Sequence, residues 1–136
     1  MLAIVAPGQG SQTPGMLSAW LEDSTLLSLA KQWSDEIGVD LVALGTTADA
    51  DEIRDTANAQ PLIVAAGLLS AHALFNGATK ASVVAGHSVG ELTAAALSQT
   101  ISDSAALSLV RARGVEMAKA AAITPAGMSA VLGGDR

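Results

Sequence analysis

The stretch Gly86-His87-Ser88-Val89-Gly90 limits what this chain can fold into more than any other. It satisfies the Gly-x-Ser-x-Gly pattern, in which a serine sits on a tight strand-to-helix turn with its hydroxyl exposed at the carboxyl edge of a sheet. Ala81 to Ala85 just before it reads as a buried strand, and Val89 to Leu97 just after it reads as a helix. The glycines remove the Cβ atoms that would collide where the chain doubles back. The helix behind Ser88 aims its free N–H groups and positive end at any oxyanion formed there. The bland alternative is a glycine-rich turn without chemistry.

The rest of the chain supplies the elements such a turn needs. Leu2 to Ala6, ended by Pro7-Gly8, has the pattern of a short strand buried on both faces. Helices are expected over 24–37, stopped by Gly38, and over 59–75, with Pro61 in the first turn and Asn76-Gly77 as the stop. A further helix is expected over 103–122 with Asp103 as its N-cap, and Met128 to Leu132 reads as a strand. Strands alternating with helices imply an α/β fold, a parallel sheet flanked by helices. At 136 residues and 50 % hydrophobic content, the length is that of one domain with a sizeable core.

Composition removes several functions. A net charge of −6 leaves no basic surplus for a phosphate backbone or an anionic bilayer, so neither nucleic acid nor membrane is an expected partner. The apolar run from Leu62 to Phe75 is shorter than the roughly 20 residues of a spanning helix. The chain has no cysteine, hence neither disulfides nor thiolate metal sites, and no metal is expected; the compartment it suits is the cytoplasm.

An elbow serine needs a base within hydrogen-bond reach. The two histidines are poor candidates: His87 adjoins the serine in sequence and is expected to hold the turn, and His72 lies mid-helix as a satisfied core residue. No histidine follows Ser88, where elbow enzymes place theirs. On the 103–122 helix, Ala106, Leu109, Val110, Met117, Ala120 and Ala121 are expected to share an apolar face with Arg113 at its centre, opposite Ser104, Ser108, Arg111 and Lys119. A buried arginine requires an anion or carbonyls. Either it pairs with a structural carboxylate or snorkels to the rim, or it holds a substrate carboxylate bidentately. The loop Gly8-Gln9-Gly10-Ser11-Gln12 lies where the first strand ends, either as a flexible turn or as the source of a second oxyanion N–H.

Together, Pro7-Gly8-Gln9-Gly10-Ser11-Gln12, Ala59-Gln60-Pro61, Gly86-His87-Ser88-Val89-Gly90-Glu91 and Arg111-Ala112-Arg113-Gly114 closely resemble the N-terminal part of malonyl-CoA:acyl carrier protein transacylases. This is the acyltransferase family shared with fatty acid and polyketide synthases. The resemblance implies an α/β-hydrolase-like large subdomain over 1–126 and the first strand of a ferredoxin-like subdomain over 127–136. It implies Ser88 as the nucleophile that carries malonyl to the phosphopantetheine thiol of acyl carrier protein. It further implies Arg113 as the carboxylate clamp, the N–H groups of Gln9 and Val89 as the oxyanion hole, and Gln60 beside the substrate channel. Malonyl-CoA is then a substrate, and no resident cofactor is expected. Family members continue into the rest of that subdomain and a histidine base, which implies that residues 1–136 alone lack transferase activity. A serine esterase or thioesterase with the same elbow, and an inactive piece acting as a binding module, are the rival readings.

Overall fold

In a computed structural model, residues 1–75, 81–123 and 133 are described. Strand β1 (Ala3–Ala6) leads through a long loop to helices α1 (Ser24–Ile37) and α2 (Leu41–Thr46), then to α3 (Thr56–Phe75). Strand β2 (Val83–Gly86), α4 (Gly90–Leu97) and α5 (Asp103–Ile123) follow. β1 and β2 pair in parallel, from Ala3 opposite Val83 to Ala6 opposite Gly86. The architecture is the expected parallel α/β arrangement, and the stretch Met128 to Leu132, with the 126/127 boundary and Asn76-Gly77, lies outside the described residues.

Local chemistry fixes the helix ends. Asp23 caps α1, its carboxylate accepting from the N–H groups of Thr25 (2.7 Å) and Leu26 (3.2 Å). Those backbone donors, Thr25 first, hold the carboxyl below its ordinary pKa. Gly38 closes α1 in the left-handed region at φ 64°, as expected.

Three expectations are corrected. α3 begins at Thr56, three residues early, because Asp55 accepts from the Ala57 N–H at 2.7 Å and its carbonyl from Ala59 at 2.7 Å. Pro61 therefore falls in the second turn, and α3 reaches 20 residues, long and apolar enough by composition to cross a membrane. It is instead the central core helix, with Gln60 to Ala65, Leu68 and Leu69 buried. α5 is capped by Ser102, whose Oγ accepts from the Ala105 N–H at 3.1 Å, and Asp103 is its first helical residue. Among the described residues the strands are covered on one face only. Ile4 and Val84 pack on the core, whereas Val5 and Val83 on the other face are exposed, because the helices packed on this pair lie on one side.

Candidate active site

The elbow forms where β2 meets α4. A Cβ on Gly86 would overlap the Gly90 backbone, and one on Gly90 would overlap the carbonyls of Ala6 and Pro7. Strand and helix are thus in contact only because both positions lack side chains. Between them Ser88 takes φ 55°, a left-handed conformation that costs a non-glycine residue about 1–3 kcal/mol and persists where its surroundings impose it. The turn is tied down on both sides: the His87 N–H donates to the Ala6 carbonyl at 3.0 Å, and the His87 carbonyl accepts from Gly90 at 3.0 Å. Val89 is fully buried and anchors α4, so Ser88 is turned outward.

The loop after β1 is held by its own side chains. Ser11 Oγ donates to the Gly8 carbonyl at 2.9 Å, Gln12 Oε1 accepts from the Gly10 N–H at 2.8 Å, and Gln12 Nε2 donates to the Ile53 carbonyl at 3.3 Å. Among the described residues, neither the Gln9 nor the Val89 N–H donates to a protein acceptor.

A continuous chain of side-chain hydrogen bonds runs from this loop to the serine. Gln9 Nε2 donates to Thr56 Oγ1 at 3.2 Å, and Gln9 Oε1 accepts from Gln60 Nε2 at 3.4 Å. Gln60 Nε2 also reaches Met117 Sδ at 3.1 Å. Gln60 Oε1 accepts from Arg113 Nη1 at 2.6 Å, and Arg113 Nη2 donates to Ser88 Oγ at 3.0 Å. Gln60 is completely buried, so each of these bonds offsets the desolvation of an amide that would otherwise be costly to bury.

The face of α5 differs from the one expected. Its buried line is Ala106, Leu107, Val110 and Gly114, while Leu109 is 52 % and Met117 37 % exposed. Gly114 carries no hydropathy yet lies against α3, where an added Cβ would stand 3.0 Å from the Thr56 carbonyl oxygen, whereas Leu109 points to solvent and Met117, partly exposed, touches α3 only through Gln60. Arg113 sits beside that line, half-buried, rather than at its centre. Among the described residues it pairs with no carboxylate, its bonds going to a neutral amide and a hydroxyl. The structural ion pair offered as its alternative role is not formed there.

The histidines stand apart from Ser88 Oγ. The His87 ring lies against Gly8, where an added Cβ would come within 2.5 Å of Nδ1, consistent with holding the turn. His72 Nε2 bonds Asp103 Oδ2 at 2.6 Å, and its ring packs on Trp33 with centroids 5.9 Å apart. It lies twelve residues along α3 from Gln60, about 18 Å at helical rise. Among the described residues no group of three histidine or carboxylate side chains is placed to hold a metal ion.

Ser88, Arg113, Gln60 and the Gln9 loop are therefore brought together. Thr56 and Met117 complete the cluster; the sequence pattern singles out neither for the site and assigns Met117 to the core. Gln60 has a signal in the sequence itself: it is a lone amide opening an otherwise apolar helical run.

The family model described as acyl transferase domain matches residues 4–133. Malonyl CoA-acyl carrier protein transacylase of Mycobacterium tuberculosis is 54 % identical over 138 residues, covering 99 % of this chain and 46 % of the relative. The namesake from Bacillus subtilis is 35 % identical, covering 88 % of this chain and 30 % of its own. Among solved structures, MCAT from Mycobacterium tuberculosis superposes with a TM-score of 0.91 at 53 % identity over 99 % of this chain and 46 % of the other. A type II PKS acyl-carrier protein in complex with its malonyl-transacylase gives 0.78 at 34 % identity over 88 % and 39 %. The chain spans about half the length of the curated mycobacterial relatives it matches. On the family match and the elbow together, the chain belongs to the acyl transferase domain family.

Proposed function

We propose that the enzyme to which this chain contributes transfers a malonyl group from malonyl-CoA to the phosphopantetheine thiol of acyl carrier protein, in fatty acid or polyketide synthesis in the cytoplasm. The observation that carries this reading is Arg113. Its guanidinium, fixed by buried Gln60 and free of any carboxylate among the described residues, reaches Ser88 Oγ at 3.0 Å. A cation one hydrogen bond from a serine nucleophile has a use when the acyl group carries a negative end; a neutral ester gives it none.

In this reading Ser88 Oγ attacks the thioester carbonyl and its proton passes to a base. The base is a histidine contributed by the part of the relatives' length that this chain does not span. The N–H groups of Gln9 and Val89 hold the oxyanion. The C–S bond then breaks, coenzyme A leaves as a thiol after taking that proton, and malonyl remains as an ester on Ser88. The carrier protein's thiol attacks that ester and returns the serine hydroxyl. Throughout, Arg113 binds the malonyl carboxylate, exchanging its bond to Ser88 Oγ for the bidentate pair, and Gln60 keeps the guanidinium in place. No resident cofactor takes part. Acyl carrier proteins are acidic, and at −6 this chain would repel one, so a docking face rich in Lys and Arg is expected mainly in the rest of the enzyme.

The test is intact-protein mass spectrometry of the full-length enzyme mixed with malonyl-CoA. A malonyl adduct that maps to Ser88 and vanishes in Ser88→Ala is expected, with transfer falling by about three orders of magnitude or more. A stable malonyl ester on Ser88→Ala would end the assignment. Residues 1–136 alone should transfer at a rate near background, because among the described residues no histidine or carboxylate bonds Ser88 Oγ.

A further inference from the structure

Helix α3 carries a defect at its start. Pro61, in the second turn, has no N–H, so the carbonyl four residues earlier, that of Ala57, lacks its helical donor. This carbonyl lies beside α5: a Cβ on Gly114 would stand 3.0 Å from the Thr56 carbonyl oxygen, 3.3 Å from the Ala57 Cα and 3.7 Å from the Ala57 carbonyl oxygen. A half-buried acceptor left open there would be unfavourable. Arg111 closes it. Its Nη1 donates to the Ala57 oxygen at 3.1 Å, and three residues separate it from Gly114, which puts both on one side of α5. Among the described residues Arg111 forms no salt bridge, so a full cation is spent on one neutral carbonyl.

The turn so repaired carries much of the site. Thr56 receives Gln9, and Gln60, adjacent to Pro61, holds Arg113. We propose that Arg111 is a positioning residue. By closing the carbonyl that Pro61 leaves open, it fixes the seating of α5 on α3 and thereby sets where Arg113 meets Gln60 and Ser88. The two arginines of Arg111-Ala112-Arg113 divide the work, one locking the helix pair and the other facing substrate. The consequence for substrate rests on the function proposed above; the locking does not.

A double-mutant cycle between positions 111 and 61 in the full-length enzyme tests this. Arg111→Met should lower kcat/KM for malonyl transfer about tenfold, mainly through KM, while acetyl transfer changes less than about twofold. Arg111→Lys, which keeps one donor for the same carbonyl, should recover most of the loss and covers the case in which the methionine variant misfolds. Pro61→Ala returns a helical donor to the Ala57 carbonyl. In that background Arg111→Met should cost less than about twofold. Equal losses with proline and alanine at position 61, or equal losses for malonyl and acetyl transfer, would overturn the proposal. Amide hydrogen exchange over residues 56–62 in the same variants reads the locking without chemistry. Exchange should rise several-fold when Arg111→Met is made with Pro61 in place, and stay unchanged when it is made in the Pro61→Ala background. That pattern in an enzyme without malonyl transfer would sink the functional reading and keep the locking, whereas an exchange response indifferent to position 61 would refute the locking itself.

Discussion

The two ends of the α3–α5 pair are built on opposite principles. At one end His72 and Asp103 meet at 2.6 Å, each about one-third exposed and each supplying what the other lacks. At the other end Arg113 has an amide and a hydroxyl for partners and, among the described residues, no carboxylate. A closed pair can hold two helices together, but it has nothing left for a ligand. A cation held by neutral groups keeps its charge available, which is what the proposed function asks of this end.

The sharpest way to break that contrast is Arg113→Ala. A charge-assisted hydrogen bond is worth roughly 1.5–3 kcal/mol, so malonyl transfer by the full-length enzyme should fall at least about tenfold. Acetyl transfer should fall less or rise. Equal losses together with a lowered melting temperature would make Arg113 a structural residue after all, like the pair at the far end.

Gln60→Leu should come next in size. It fills nearly the same volume but leaves Arg113 Nη1 without its acceptor and Gln9 Oε1 without its donor, a cost of about 1–3 kcal/mol for a buried group left unmade. Both melting temperature and malonyl selectivity should drop, measured by calorimetry and by the malonyl-to-acetyl rate ratio. Loss of stability with an unchanged ratio would show that Gln60 supports the core and does not aim the guanidinium.

The smallest effect belongs to the closed end. His72→Ala should cost stability by about 1 kcal/mol or less, the range of a partly exposed hydrogen bond plus its share of the Trp33 contact, with kcat/KM for malonyl unchanged. A His72→Ala enzyme that folded normally yet lost transfer would erase the distinction and send the search for a base back to α3.

How far the sequence discloses these two ends follows from what kind of signal each residue carries. The elbow is legible because its glycines are mechanical requirements: Gly86 and Gly90 stand where a Cβ would overlap backbone. Gly38 is legible for a related reason, a left-handed cap at φ 64°. The face of α5 is misjudged by a hydropathy pattern, which weighs Leu109 and Met117 heavily and Gly114 not at all, although Gly114 is buried against the start of α3 and Leu109 is exposed. The start of α3 is set too late by the apolar run, because Asp55, ahead of that run, supplies the cap. The one-sided burial of β1 and β2 escapes notice because a short apolar run looks the same whether one face or both are covered. Arg111 falls on the polar face by its spacing; nothing there shows that a proline fifty residues earlier has left a carbonyl for it.

The hydrogen-bonded chain from Thr56 to Ser88 consists of a hydroxyl, two amides, a guanidinium and a second hydroxyl. Arg113 is the one charged side chain in it, so the sign of the field at Ser88 Oγ is set by a guanidinium whose own position depends on neutral partners. Exchanging one of those neutral partners for another neutral group therefore changes where the charge sits and not how much of it there is.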